Sequence, residues 1–177
     1  VRLKELKEVV SKAKEDIINL EKKKNEKLKM QKEVVRQKQA IQEERLQRLM
    51  SHRSILETNS DQVINTEYVY LCVFSLLGNT SAFEIQTFLE NKLKNDFIHV
   101  EKDTYHILIV EIDEPLQINT LTKIHQQIEK ELASTIFVGC SLIDQTVLDF
   151  NIALKQTKNL FYESFHTHNR FNFHDKQ

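Results

Sequence analysis

The sequence predicts an α+β protein in which a long N-terminal coiled-coil helix leads into a ferredoxin-like β-α-β-β-α-β-α domain. Three observations carry this. The first 57 of the 177 residues contain no Gly, Pro, Phe, Tyr or Trp, and are dominated by Lys, Glu, Gln and Leu, which are good helix formers. Every Phe and Tyr lies beyond them, where aromatic area can build a core. Charge divides at the same place: residues 1–57 hold 16 Lys/Arg against 10 Asp/Glu and residues 58–177 hold 9 against 16, so the formal net charge of −1 splits into +6 and −7. The expected domains are therefore a helical 1–57 and an α/β 58–177.

In the first segment apolar residues alternate at steps of three and four from Leu3 through Leu6, Val10, Ala13 and Ile17 to Leu20. That spacing is the a/d seam of a coiled coil. The frame then meets Lys24, Lys27 and Gln31, recovers at Val34 and Ile41, and slips near Leu46, Leu49 and Met50 as a stutter would. The expected coiled-coil interface is thus Leu3, Leu6, Val10, Ala13, Ile17, Leu20, Val34, Ile41 and Leu49. A helix of this length is marginal without a partner, and a parallel homodimer is the simplest one. The basic run Lys22, Lys23, Lys24, Lys27, Lys29 and Lys32 is interleaved with Glu21, Glu26 and Glu33 and has no aromatic beside it, which reads as a solvated helix face rather than a nucleic-acid surface. The chain opens at Val1 already inside the helical pattern, so further residues are expected upstream.

After a polar break at 57–62, Tyr68 to Leu76 is nearly continuous in β-branched, aromatic and apolar residues, the mark of a central strand. Gly78 and Asn79 end it. Ser81 and Glu84 make a capping box for a helix carrying Ala82, Ile85, Leu89 and Leu93. Phe97 to Glu101 and Tyr105 to Ile112 form a hairpin across Lys102, Asp103 and Thr104, and Pro115 cannot continue the second of these strands. Leu121, Ile124, Ile128 and Leu132 supply a second amphipathic helix, with Asn119 or Thr120 as its cap. Thr135 to Leu142 is the fourth strand. Thr146 to Phe161 is a third helix whose inward stripe includes Phe150, Ala153, Leu154, Leu160 and Phe161.

Chemistry-bearing residues are sparse. Cys72 and Cys140 both lie in apolar runs and read as small buried hydrophobes rather than a disulfide or metal pair. Glu111, Asp113 and Glu114 at the end of the third strand read as solvated loop acids rather than a divalent-metal site. Gly139–Ser141 is no nucleophile elbow, since Ile143 stands where the second glycine is needed, and no glycine run exists to cradle a phosphate. His166, His168 and His174 read as a polar surface tail rather than a zinc chelate. His99, His106 and His125 fall in different elements without a shared spacing. No catalytic, cofactor-binding or metal-binding residue is assigned.

Several stretches together resemble a known group: LKEVVSKAKEDI (6–17), QEERLQRLM (42–50), YHILIVEID (105–113), FVGCS (137–141) and LDFNIALKQTKNLFYES (148–164). In this order they resemble the central region of AraC-family two-component response regulators of the YesN type. There, a helical linker and a degenerate GGDEF-like domain stand between a receiver and a DNA-binding helix-turn-helix pair. The resemblance implies that Leu3 to Ile18 runs from the last receiver helix into the linker, and that Tyr68 to Phe161 is the GGDEF-like domain. Active diguanylate cyclases carry metal-binding acids after the first strand and GG(D/E)EF on the following hairpin. Here those places hold FSLLGN (74–79) and VEKDTY (100–105). Without the acids no metal pair can be held there, so the domain is expected to be catalytically silent.

The expected function is accordingly dimerisation and signal coupling within a cytoplasmic transcription regulator, with DNA bound only through domains outside this chain. Polar seam positions at Lys24 to Gln31 would leave two pairing registers close in energy. Two other readings stand beside it: a coiled-coil scaffold with an α/β partner-binding head, and a small-ligand sensor whose ligand the sequence does not name. No apolar run reaches the roughly 18 residues of a membrane span.

Overall fold

The computed structural model describes residues 2–51, 64–114, 118–144, 149–167 and 169–175, with the side chains of 118–122 and 174–175 outside the description. The chain forms two compact units, Val1–Gln37 and Lys38–Gln177. The first is helical, part of α1 (Arg2–Ser51). Leu3, Leu6, Val10, Ala13, Ile17, Leu20 and Val34 are all exposed along it. The lysines from Lys22 to Lys32 are exposed as well, as a solvated face requires.

The second unit is built on a five-stranded sheet in the order β2-β3-β1-β4-β5. Its elements are β1 (Tyr68–Leu77), α2 (Ala82–Lys92), β2 (Phe97–Glu101), β3 (His106–Ile112), α3 (Ile118–Glu131), β4 (Thr135–Asp144), α4 (Phe150–His166) and β5 (Phe171–Asp175). β1 pairs antiparallel with β3 and with β4, β2 pairs antiparallel with β3, and β5 runs parallel to β4. The first four strands thus have the expected ferredoxin-like split βαβ arrangement, with β1 central. The helix starts follow local chemistry: Ser81 Oγ accepts from the Glu84 N–H at 3.2 Å, and Asp149 accepts from the Asn151 N–H at 2.9 Å. Both satisfy amides that the first helical turn leaves open.

Period-two alternation sorts the strand residues into two cores. Tyr70, Cys72, Phe74, Leu108, Val110, Val138, Cys140 and Leu142 face α2 and α3, together with Ile85, Leu89, Ile124 and Ile128. Val69, Leu71, Val73, Ile98, Val100, Ile107, Ile109 and Ile143 face the other way, packed with Leu46 and Leu49 of α1 and with Phe150, Ala153, Leu154 and Phe161 of α4.

Several expectations change. Leu49, expected on the coiled-coil seam, is only 2% exposed and belongs to the second core; the slip in heptad phase marks where the helix turns its apolar side to a sheet instead of to a second helix. The expected boundary after Glu57 lies outside the described residues, and compactness divides after Gln37 because the last turns of α1 are core material. The tail is not a free polar segment: β5 pairs Phe171 with Val138 and Phe173 with Cys140. The described α4 runs from Phe150, capped by Asp149, to His166; the expected start at Thr146 lies outside the described residues, and Leu160 is only partly buried.

Candidate functional site: a buried polar layer

The buried histidines and both cysteines lie in one layer, between the sheet and the α2/α3 helices. His99, His125 and Cys72 are at most 1% exposed and Cys140 is 4% exposed, so each needs a partner inside the protein. Two groups result, with Phe74 between them.

The first group is a hydrogen-bonded file that enters from the surface. Lys38 Nζ donates to Glu90 Oε1 at 2.7 Å, and Gln86 Nε2 donates to the same oxygen at 3.2 Å. A carboxylate here only accepts, so the Gln86 amide must turn its oxygen inward, toward His99 Nδ1 at 3.2 Å. His99 therefore carries its proton on Nδ1 and accepts at Nε2, where His106 Nδ1 donates at 3.0 Å. Phe74 stacks on His106 with ring centroids 4.8 Å apart. Burial holds His99 down to about 3, with the neighbouring His106 adding to it, and holds His106 down to about 4. Both rings are neutral at physiological pH, as the hydrogen-bond sequence requires.

The second group lies at the centre of the sheet. Register places Cys72 directly opposite Cys140, with Sγ atoms 3.7 Å apart. His125 from α3 brings Nε2 to 3.5 Å from Cys72 Sγ and 4.0 Å from Cys140 Sγ. Tyr70 Oη lies 3.0 Å from Cys140 Sγ and 3.3 Å from His125 Nε2. Burial opposes ionisation of Cys140, but hydrogen bonds from Cys72, His125 and Tyr70 outweigh it and draw this thiol down to about 5. Burial pushes the Cys72 thiol up, and its hydrogen bond to Cys140 adds to that. Of the two, Cys140 is therefore the more readily ionised and Cys72 the less. Both cysteines are free, and these two with His125 form the one His/Cys/Asp/Glu cluster of metal-ligating geometry among the described residues.

The other candidates separate. Asp113 and Glu114 are exposed, whereas Glu111 is buried on β3 rather than lying in a solvated loop; its Oε1 accepts from the Asn65 N–H at 2.6 Å, and burial raises its carboxyl. His166 closes α4, His168 lies outside the described residues and His174 sits on β5. Gly139 faces α4: a Cβ there would stand 2.3 Å from the Phe161 nitrogen, so this glycine serves helix packing. His125 was assigned to no group from the sequence, yet it stands four residues after Leu121, within the Leu121, Ile124 and Ile128 stripe. That position was a readable sign that its ring faces the core.

Fold and site define a ferredoxin-like α+β domain, entered by a long helix and sealed around a thiol–imidazole cluster. No protein-family model matches the chain, and no curated protein matches it. Among solved structures, the chain is similar to the active GGEEF domain of a diguanylate cyclase from Vibrio cholerae, at 9% identity and a TM-score of 0.47 over 63% of this chain and 84% of that one. It is also similar to diguanylate cyclase SiaD of Pseudomonas aeruginosa, solved in complex with its activator SiaC, at 9% identity and a TM-score of 0.47 over 99% of this chain and 85% of that one.

Proposed function

We propose that this chain is the dimerising and signal-coupling segment of a cytoplasmic AraC-family two-component regulator, with a catalytically silent GGDEF-like domain. Receiver and DNA-binding domains would lie outside the chain. The observation that carries the reading is the apolar seam of the first unit: Leu6 is 61% and Ile17 56% exposed, at heptad spacing. A second copy of the same seam is the partner whose pattern matches it position for position. Burying such side chains contributes about 1.5–3 kcal/mol each, enough over several heptads to hold two chains together.

Silence is supported by what occupies the two places where a cyclase needs its chemistry. β1 ends in Leu76 and Leu77, with Gly78 after it and no acid, and the β2–β3 turn is a closed hairpin in which the Lys102 N–H donates to the Tyr105 carbonyl at 2.8 Å. In this mechanism an upstream change alters how the seams pair, and the polar stretch at Lys24 to Gln31 keeps two registers close in energy.

Sedimentation equilibrium at micromolar concentration tests the dimer. The chain is expected to be dimeric and the Leu6→Glu/Val10→Glu/Ile17→Glu variant monomeric; a monomeric wild type, or a variant that stays dimeric, overturns the seam. Incubation with GTP and Mg²⁺ tests silence, and formation of a cyclic dinucleotide would refute it. The coding sequence on either side should contain a receiver upstream and a helix-turn-helix pair downstream.

A further inference from the structure

We propose that Cys72, Cys140 and His125, with Tyr70 beside them, form a structural site for one zinc ion at the centre of the sheet. Donor spacing carries the argument. A tetrahedral centre with metal–sulfur bonds of about 2.3 Å and a metal–nitrogen bond of about 2.0 Å has a sulfur–sulfur edge of roughly 3.8 Å and sulfur–nitrogen edges of roughly 3.5 Å. The observed edges are 3.7 Å between the two Sγ atoms, and 3.5 Å and 4.0 Å from them to His125 Nε2. Tyr70 Oη, 3.0 Å from Cys140 Sγ and 3.3 Å from His125 Nε2, is the further oxygen donor beside these three.

The scaffold holding these atoms is rigid. Cys72 and Cys140 are directly paired on the two most central strands of the sheet, so their separation is set by the ladder and not by a loop. All four side chains are buried. Within such a core the charge arithmetic selects the ion: two thiolates neutralise one divalent cation, so the assembled unit carries no net charge into the apolar interior. Sulfur and imidazole donors favour zinc over magnesium or calcium, which take oxygen ligands. Zinc leaves the oxidation states unchanged. Each of two S–H bonds gives up its proton to solvent as a Zn–S bond forms, and His125 ligates through its Nε2 lone pair, its single ring proton moving from Nε2 to Nδ1.

A set of donors closed in this way leaves no position open to substrate, so the ion would tie elements together. It joins α3, through His125, to β1 and β4. Because the site is sealed, loading accompanies folding, and the test is built on refolding.

The full-length chain without an affinity tag is unfolded in denaturant and reductant, then refolded with Zn²⁺ or with EDTA, and the metal is counted after desalting. About one zinc per chain and a higher melting temperature than in EDTA are expected. Co²⁺ in place of Zn²⁺ should give the near-ultraviolet thiolate charge-transfer band and strong visible bands of a tetrahedral sulfur site. Cys140→Ser and His125→Gln should each lower zinc occupancy roughly tenfold or more under limiting metal, since one ligand of a small set is gone. His166→Ala/His168→Ala/His174→Ala should keep the metal. Wild-type protein refolded in zinc that holds no more than the EDTA sample, or zinc that leaves with the tail histidines, overturns the site. The wild-type comparison decides even where a ligand variant does not fold.

Discussion

At His99 and His106 the interior accepts two imidazoles because each is given one donor and one acceptor role, working inward from Glu90 through Gln86. Protonating either ring breaks that sequence. The folded-state values of about 3 and about 4 lie below the ordinary 6.5, so between pH 6.5 and about 4 the unfolded chain takes up protons that the folded one refuses. Stability from these rings is full above pH 6.5 and falls as the pH drops, by on the order of 2 kcal/mol per ring at pH 5. Below about pH 3 both states are protonated and the loss levels off. Urea unfolding at pH 7 and pH 5 measures it, and His99→Phe/His106→Phe should remove most of the slope; an unchanged slope counts against neutral buried rings. Neither ring was grouped from the sequence. Their pairing needs a diagonal across the β2–β3 ladder, and a register is not visible in spacing along one chain.

Among the elements, β4 and α4 are in close approach at Gly139. An added Cβ would meet the Phe161 nitrogen at 2.3 Å and the Thr157 carbonyl oxygen at 2.7 Å, both backbone atoms that cannot turn aside. Gly139→Ala should force α4 off the sheet and cost about 1–3 kcal/mol, read as a lower melting temperature. At Gly78 the clash is with the Ser134 side-chain hydroxyl at 2.5 Å, which can rotate, so Gly78→Ala should cost less. Equal losses at the two positions would speak against the close helix crossing. The element order through α4 was legible because each strand or helix has its own hydrophobic period and its own stop signal, such as Gly78 or the Ser81 cap. β5 was missed because an edge strand with one exposed side needs no apolar run: Asn172 and His174 alternate with Phe171 and Phe173, and in isolation this reads as a polar tail.

For the molecule as a whole, the two units make different demands on one helix. Up to Gln37 its apolar residues are exposed apart from the half-buried Val35, whereas Leu46 and Leu49 complete the core that α4 also covers. A chain beginning at Lys38 should therefore unfold cooperatively and sediment as a monomer. A chain beginning at residue 58 loses both leucines and should be destabilised by at least about 4 kcal/mol, taking 2–5 kcal/mol for each buried leucine removed. Denaturant titration of the two fragments separates these outcomes; equal stability would remove α1 from the core. Among the described residues no helix is long and apolar enough to cross a membrane.

By itself the sequence determined the division into helix and α/β domain, the order of elements through α4, the heptad seam and the cysteine burial, because propensity, period and capping act between near neighbours in the chain. Tertiary structure alone decided where the seam ends, that Leu49 faces a sheet, that the tail becomes a strand, and that Cys72, Cys140 and His125 meet. Those outcomes depend on strand register and helix docking, which bring together residues 53 and 68 positions apart. No local pattern encodes a separation of that size.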